Sequence, residues 1–189
     1  MTRICCHPKS ELLTYPGGRF TPHDEHERAR YGVYALNRRA AEAGALRIHT
    51  NTVLAGNDGE GTGHEQAVIV PGDLNDTPHA ATTQLLLGPT GSEIGTAGQN
   101  QPDQGDPWRL WNLAPLILEQ TRYSRIHRGT GELIDHPLVS KKLLDVVGEV
   151  RSLVNAADGA HLPSITGEPN RRTDAPGSDH APQVATFER

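Results

Sequence analysis

The apolar positions of this chain change period several times, and each change predicts an element. Val33, Leu36, Ala40 and Ala43 recur at helical spacing among charged residues, which predicts one long helix running to about Leu54. Its start reads at Thr21-Pro22-His23-Asp24. Thr21 can cap, Pro22 suits the first helical position, and Asp24 and Glu25 favour the positive end of the helix dipole. Gly44 is a candidate kink, and Gly56-Asn57-Asp58-Gly59 is the stop. Ala67-Val68-Ile69-Val70 then abandons the helical period. Such a short apolar, β-branched run predicts a strand buried on both faces. It ends in Gly72-Asp73-Leu74-Asn75-Asp76, where a strand would fix polar residues and a loop would expose them.

Elsewhere the pattern is shorter. The first ten residues read as a short strand entering a loop that turns at Pro16-Gly17-Gly18. A short helix is expected over His79 to Leu87, then a surface loop over 88–107. Arg122 to Arg128 and Glu132 to Ser140 read as a hairpin around Gly129-Thr130-Gly131. A short helical turn and a strand over Val146 to Val154 follow, then a loop over 155–178 and a last strand over Val184 to Phe187. Strands separated by helices, with hairpins later, predict an α/β fold with a mixed sheet.

Composition adds limits. The chain has 189 residues, room for one domain, and 20 Gly and 14 Pro, so much of it is loop. Aromatic residues are only 4%, which leaves few large anchors for a core. A net charge of −5 argues against a general electrostatic grip on nucleic acid. No apolar run is long enough to span a membrane, and MTRICCHPKSELL has no signal-peptide core, so the expected location is the cytoplasm. Cys5 and Cys6 are neighbours and cannot staple distant parts of the chain.

Four polar segments fall at predicted strand ends: HPKS at 7–10, GDLND at 72–76, IDHPLVS at 134–140 and SDHAP at 178–182. Singly, each has a plain reading as a turn or a capped loop. Other pairs carry less. His23 and Glu27 fit a solvated first helical turn, and His64-Glu65 lacks the second His of a zinc-protease motif. Cys5-Cys6-His7 lacks a distant partner pair for a small zinc or redox site, and Trp108 and Trp111 are expected to pack.

In this order the four segments resemble the endonuclease/exonuclease/phosphatase superfamily, the deoxyribonuclease-I-like fold. The segment DEHERARYGVYALNRRAAEA resembles the long helix of a bacterial subgroup. The resemblance implies a four-layer α/β sandwich, two packed mixed sheets flanked by helices, present here in part. It implies a metal-dependent hydrolase of phosphate esters using Mg²⁺ or Mn²⁺, acting on nucleic acid or a small molecule. His180 would be the general base and Asp135 the carboxylate that orients it. Asp73 would position the attacking water, while Asn75 and His7 would contact the phosphate. Asp179 would be a metal ligand, and Lys9, Arg171 and Arg172 are possible rim cations.

Two departures from that pattern create further expectations. The family's early Asn and its metal-binding Glu precede the His-x-Lys-Ser strand, and residues 1–189 offer no substitute. The chain therefore reads as an N-terminally truncated domain with impaired activity, or as a non-catalytic remnant or half-domain. An uncovered sheet face would then invite self-association. Pro8, Pro71 and Pro137 also stand inside the motif strands, where a misplaced proline costs roughly 3 kcal/mol by analogy with helices.

Overall fold

The structure, a computed structural model, describes residues 1–91, 93–155, 159, 162, 164–166 and 177–188. Most of the expected 155–178 loop lies outside that set. Strand β1 is Thr2–Arg3, and the long helix α1 spans Glu25–Leu54 without a break at Gly44. Strand β2 is Val68–Val70 and helix α2 is Ala81–Leu87. Then come β3 (Trp111–Asn112), β4 (Arg125–His127), β5 (Thr130–Glu132) and β6 (Leu138–Val139). A turn of helix, α3 (Lys141–Leu144), leads into β7 (Val147–Ser152), and β8 is Gln183–Phe187. The α/β expectation is met. A mixed sheet of order β1-β2-β6-β3 sits beside two antiparallel two-stranded sheets, the hairpin β4-β5 and the pair β7-β8. A four-layer sandwich is not what the described residues show.

Alternation along β2 and β6 gives the central sheet two buried faces. Val68, Val70, Leu74 and Leu138 pack with Ala43 and Leu54 of α1 and Leu86 of α2. Ile69, Val139 and Trp111 face the other way, into a cluster with Leu143, Leu144, Val150, Ala185 and Phe187. The sheet face expected to be bare is therefore partly covered by α3 and the β7-β8 pair.

Helix α1 corrects three expectations. Its cap is Asp24 rather than Thr21, because the Asp24 carboxylate accepts from Glu27 N at 2.7 Å while the Glu27 carboxylate accepts from His23 N. Glu27 is thus buried rather than solvated, its carboxylate lying between Arg19 at 2.8 Å and the exposed His23 ring at 3.3 Å. The inward face is not the Val33–Leu36 stripe either, since Val33 and Leu36 are exposed. Ala35, Arg39, Ala43, Arg47, Thr50 and Leu54 point inward instead. The two arginines are buried because loop carbonyls surround them. Arg47 donates to the carbonyls of Leu86 and Trp108, at 3.0 and 2.6 Å, and desolvation lowers its pKa to about 10.

The hairpin expectation also needs correction. Its second arm ends at Glu132, and Leu138–Val139 joins the central sheet against β2 and β3. β3 itself was not expected. The 88–107 loop is anchored by Arg109, which is buried. Its guanidinium donates to the carboxylates of Asp103 and Asp106 and to the carbonyls of Pro89 and Thr90.

The prolines are accommodated more easily than expected. Ile69 lies opposite Val139, and Asp73 opposite Asp135, so unbroken counting sets Pro71 opposite Pro137. The bonds Ser140 N to Val68 O, His136 N to Gly72 O and Leu74 N to Ile134 O make the even-numbered β2 positions the hydrogen-bonded ones. Pro71 and Pro137 therefore occupy a non-hydrogen-bonded pair, where neither would donate across this ladder. Both carbonyls still accept, from Cys6 N and Leu113 N. Each forgoes at most one bond on its outer side, about 1 kcal/mol. Pro8 lies outside any strand, and its carbonyl accepts from Asn75 Nδ2 at 3.0 Å.

His136 is a structural histidine locked between elements. Nδ1 faces Asn112 Nδ2 at 2.9 Å and Nε2 faces the Asp76 carbonyl at 3.2 Å, so the neutral ring carries its proton on Nε2. Burial pushes its pKa down to about 4. In the unfolded chain it titrates near 6.5. Above that value both states are neutral, whereas below it the unfolded state takes up the proton first. Stability should fall by about 2 kcal/mol between pH 6.5 and 5, above the usual carboxylate range. Urea unfolding in EDTA at the two pH values measures this, and an unchanged midpoint would remove the locked neutral ring.

Candidate functional site

The site begins where β2 runs into the Gly72–Asp76 turn. Gly72 lies beside Cys6, and a Cβ there would sit 2.0 Å from the Cys6 carbonyl oxygen, so only glycine lets the neighbouring segment approach. Asn75 has φ of 52°, a left-handed value that Asn tolerates. That turn lets Asn75 N donate to Asp73 Oδ1 at 2.8 Å. The Asp73 side chain is thereby fixed at the end of a buried strand.

Asp135 stands directly across the ladder from Asp73, at a non-hydrogen-bonded pair where side chains come closest. Two carboxylates in this arrangement repel each other. Burial raises the Asp73 pKa above its usual value, and the Asp135 charge adds to that. His180 supplies the opposing charge. Its Nδ1 lies 2.8 Å from Asp135 Oδ2 and 3.7 Å from Asp73 Oδ2. The hydrogen bond to Asp135 raises the His180 pKa, against a smaller opposing effect of burial. With Nδ1–H given to Asp135, the neutral ring presents its lone pair at Nε2. His7 completes the group, with Nε2 3.5 Å from Asp73 Oδ2 on a largely exposed ring.

The structure thus brings together His7, Asp73, Asp135 and His180 from four distant segments. Other expected residues sit differently. Asn75 is buried beneath the site, and its amide donates to Pro8, tying the 72–76 turn to the 7–10 segment. Asp179 is exposed and outside the three-residue cluster, although its charge helps to raise the His180 pKa. The Lys9 ammonium turns to the carbonyls of Ser10 and Leu12. Arg171 and Arg172 lie outside the described residues. Trp111 is buried and Trp108 packs against the core, as expected. Cys5 and Cys6 are free thiols, and burial pushes the Cys6 pKa up to about 11, far from a reactive thiolate.

Two supporting residues carried no sequence signal. Arg39 of α1 donates to Asp76 Oδ2 and to the Lys9 carbonyl, both at 3.0 Å, so the long helix holds both flanking segments. Ser124 is fully buried, and its hydroxyl accepts from Asp135 N at 3.2 Å. The partners of Arg39 lie 37 and 30 residues away and that of Ser124 lies 11 away, beyond the reach of periodicity.

Asp73, Asp135 and His180 offer two carboxylate oxygens and an imidazole nitrogen within 4.8 Å of one another, a set that could hold a metal ion. They edge a groove of about 530 Å³ between the central sheet and the β7-β8 pair, with Pro71, Pro137, Ala185 and Phe187 further along its walls. No helix among the described residues is long and apolar enough to cross a membrane. Comparison with protein-family models, curated proteins and solved structures returns no match to this chain.

Proposed function

We propose that this chain is a phosphoesterase of the metal-dependent type, working through Asp73, Asp135 and His180. The observation that carries the reading is the carboxylate pair Asp73/Asp135 with His180 Nδ1 held 2.8 Å from Asp135 Oδ2. The ordered resemblance of the four polar segments to the endonuclease/exonuclease/phosphatase superfamily supports it. Asp135 orients the imidazole and stabilises the charge it acquires, and His180 Nε2 takes the proton from the attacking water. Asp73 holds that water in place, and His7, exposed beside it, meets the phosphate oxygens.

Facing carboxylates suit a hard divalent cation, because two like charges at close range are relieved by one. Asp73 and Asp135 would hold Mg²⁺ or Mn²⁺. When bound, that ion supplies charge stabilisation to the phosphoryl oxygens.

The purified chain should hydrolyse bis(p-nitrophenyl) phosphate with Mn²⁺, lose the activity in EDTA and recover it on adding Mn²⁺. Asp73→Asn should weaken Mn²⁺ binding, followed by electron paramagnetic resonance, at least about tenfold. A chain that neither binds Mn²⁺ nor turns over the diester would be the non-catalytic remnant or half-domain that the sequence also allows.

A further inference from the structure

The chain crosses between two sheets at residues 133–135, and Ser124 sits at that crossing. It immediately precedes β4, and its backbone N donates to Glu132 O at 2.9 Å, closing the β4-β5 hairpin. Its side chain does something separate. The hydroxyl oxygen accepts from Ile134 N at 3.1 Å and from Asp135 N at 3.2 Å, and the hydroxyl proton points to Glu132 O at 3.4 Å. Both lone pairs and the single proton are thus in use, which fixes the hydroxyl in one orientation. The Ser124 carbonyl accepts from Ala181 N at 2.7 Å, the residue after His180. One residue therefore grips the backbone on both sides of the Asp135–His180 hydrogen bond. The segment carrying His180 is irregular and exposed at Ser178 and Asp179, and this contact holds it together with Ala181, buried against Val154 and Ile165, and Leu153 N donating to Pro182 O at 2.9 Å.

We propose that Ser124 is a positioning residue for the Asp135–His180 pair, its buried hydroxyl setting the Asp135 backbone and its carbonyl setting the residue next to His180. This rests on reading that pair as the working dyad. Loss of the hydroxyl leaves the buried N–H of Ile134 and the part-buried N–H of Asp135 without that acceptor. The local backbone then shifts to regain partners, and a shift of about 1 Å near reacting groups can lower turnover by about a hundredfold.

A control separates positioning from simple support of the sheet. Ser140 is also fully buried, and its hydroxyl also serves a ladder, accepting from Val68 N at 3.1 Å and donating to Gln66 O at 2.6 Å. It lies at the opposite end of the β2-β6 ladder from the dyad. Ser124→Ala and Ser140→Ala should each lower thermal stability, but they should differ at His180.

The readout is the His180 tautomer, measured by long-range ¹H–¹⁵N correlation on the full chain in EDTA, with the pH raised until the ring ¹⁵N shifts no longer change. Wild type should show the Nδ1–H form held by Asp135, and Ser140→Ala should keep it. Ser124→Ala should move toward the Nε2–H form that a free imidazole favours, with kcat lowered ten- to a hundredfold and KM little changed. Ser124→Cys, which keeps the side-chain shape and weakens the hydrogen bonds, gives the same reading should the alanine variant not fold. An Nδ1–H form retained in the Ser124 variants would overturn the positioning role and leave the dyad standing. An Nε2–H form in wild type would overturn the dyad itself, and the positioning role with it.

Discussion

Replacing His180 by alanine is expected to lower Mn²⁺-supported hydrolysis of a diaryl phosphodiester by about 10²–10⁴-fold, the usual contribution of a positioned acid–base group. The expectation follows from geometry. The ring is tied to Asp135 through Nδ1, which leaves Nε2 as the nitrogen able to accept a proton. A base works only when deprotonated, and the Asp135 hydrogen bond raises the His180 pKa above 6.5. The metal-free ring should therefore titrate with its midpoint above pH 6.5, followed by its ¹⁵N shifts in EDTA. Asp135→Asn should lower that midpoint, because the amide no longer stabilises the charged ring. The folded chain should tolerate His180→Ala, at a cost of about 1 kcal/mol or less from re-exposed carboxylate repulsion. Stopped assays across pH 5–9, with a melt of each variant, test this. Activity surviving His180→Ala would remove His180 as the base.

The largest effect on stability should come from Arg109→Met. Arg109 is buried and meets Asp106, itself buried, at 2.8 Å, as well as Asp103 at 2.8 Å. Its remaining donors reach the carbonyls of Pro89 and Thr90, so one side chain closes the 88–107 loop on itself. Methionine keeps much of the stem volume but leaves the Asp106 carboxylate buried without its cation. Breaking a buried pair from one side costs roughly 3–5 kcal/mol. For a chain of this length that is a fall in Tm of roughly 10 °C. The double variant with Asp106→Leu should recover part of the loss, since it removes the stranded charge. A single variant that melts with wild type would mean that the loop is held by other contacts.

How far the fold was legible depended on which interaction carried each element. Apolar period and turn residues were enough for the body of α1, for β2, α2 and the β4-β5 turn, because each forms from neighbours in sequence. They pointed to the wrong face of α1. Arg39 and Arg47 count as polar in any periodicity, yet they are buried because loop carbonyls and Asp76 surround their guanidinium groups. β3 was invisible because two residues carry no period. At the site, Asp73, Asp135, His7 and His180 could be picked out by their segments, and the structure does gather them. The tasks of Asn75, Arg39 and Ser124 could not be read. Each is defined by a hydrogen-bond partner from another part of the chain.

The facing prolines have a consequence for how the chain avoids error. A slip of one residue between the two central strands would turn every alternate side chain to the opposite face. Whichever strand turned over would bring the donorless nitrogen of its own proline, Pro71 or Pro137, to where that ladder must be closed. The misaligned pairing would forfeit bonds that the native one never needed from these residues. The two prolines thus act as a proofreading mark, tolerated in one alignment and penalised in its nearest competitor. That alignment is also the one that sets two acids face to face.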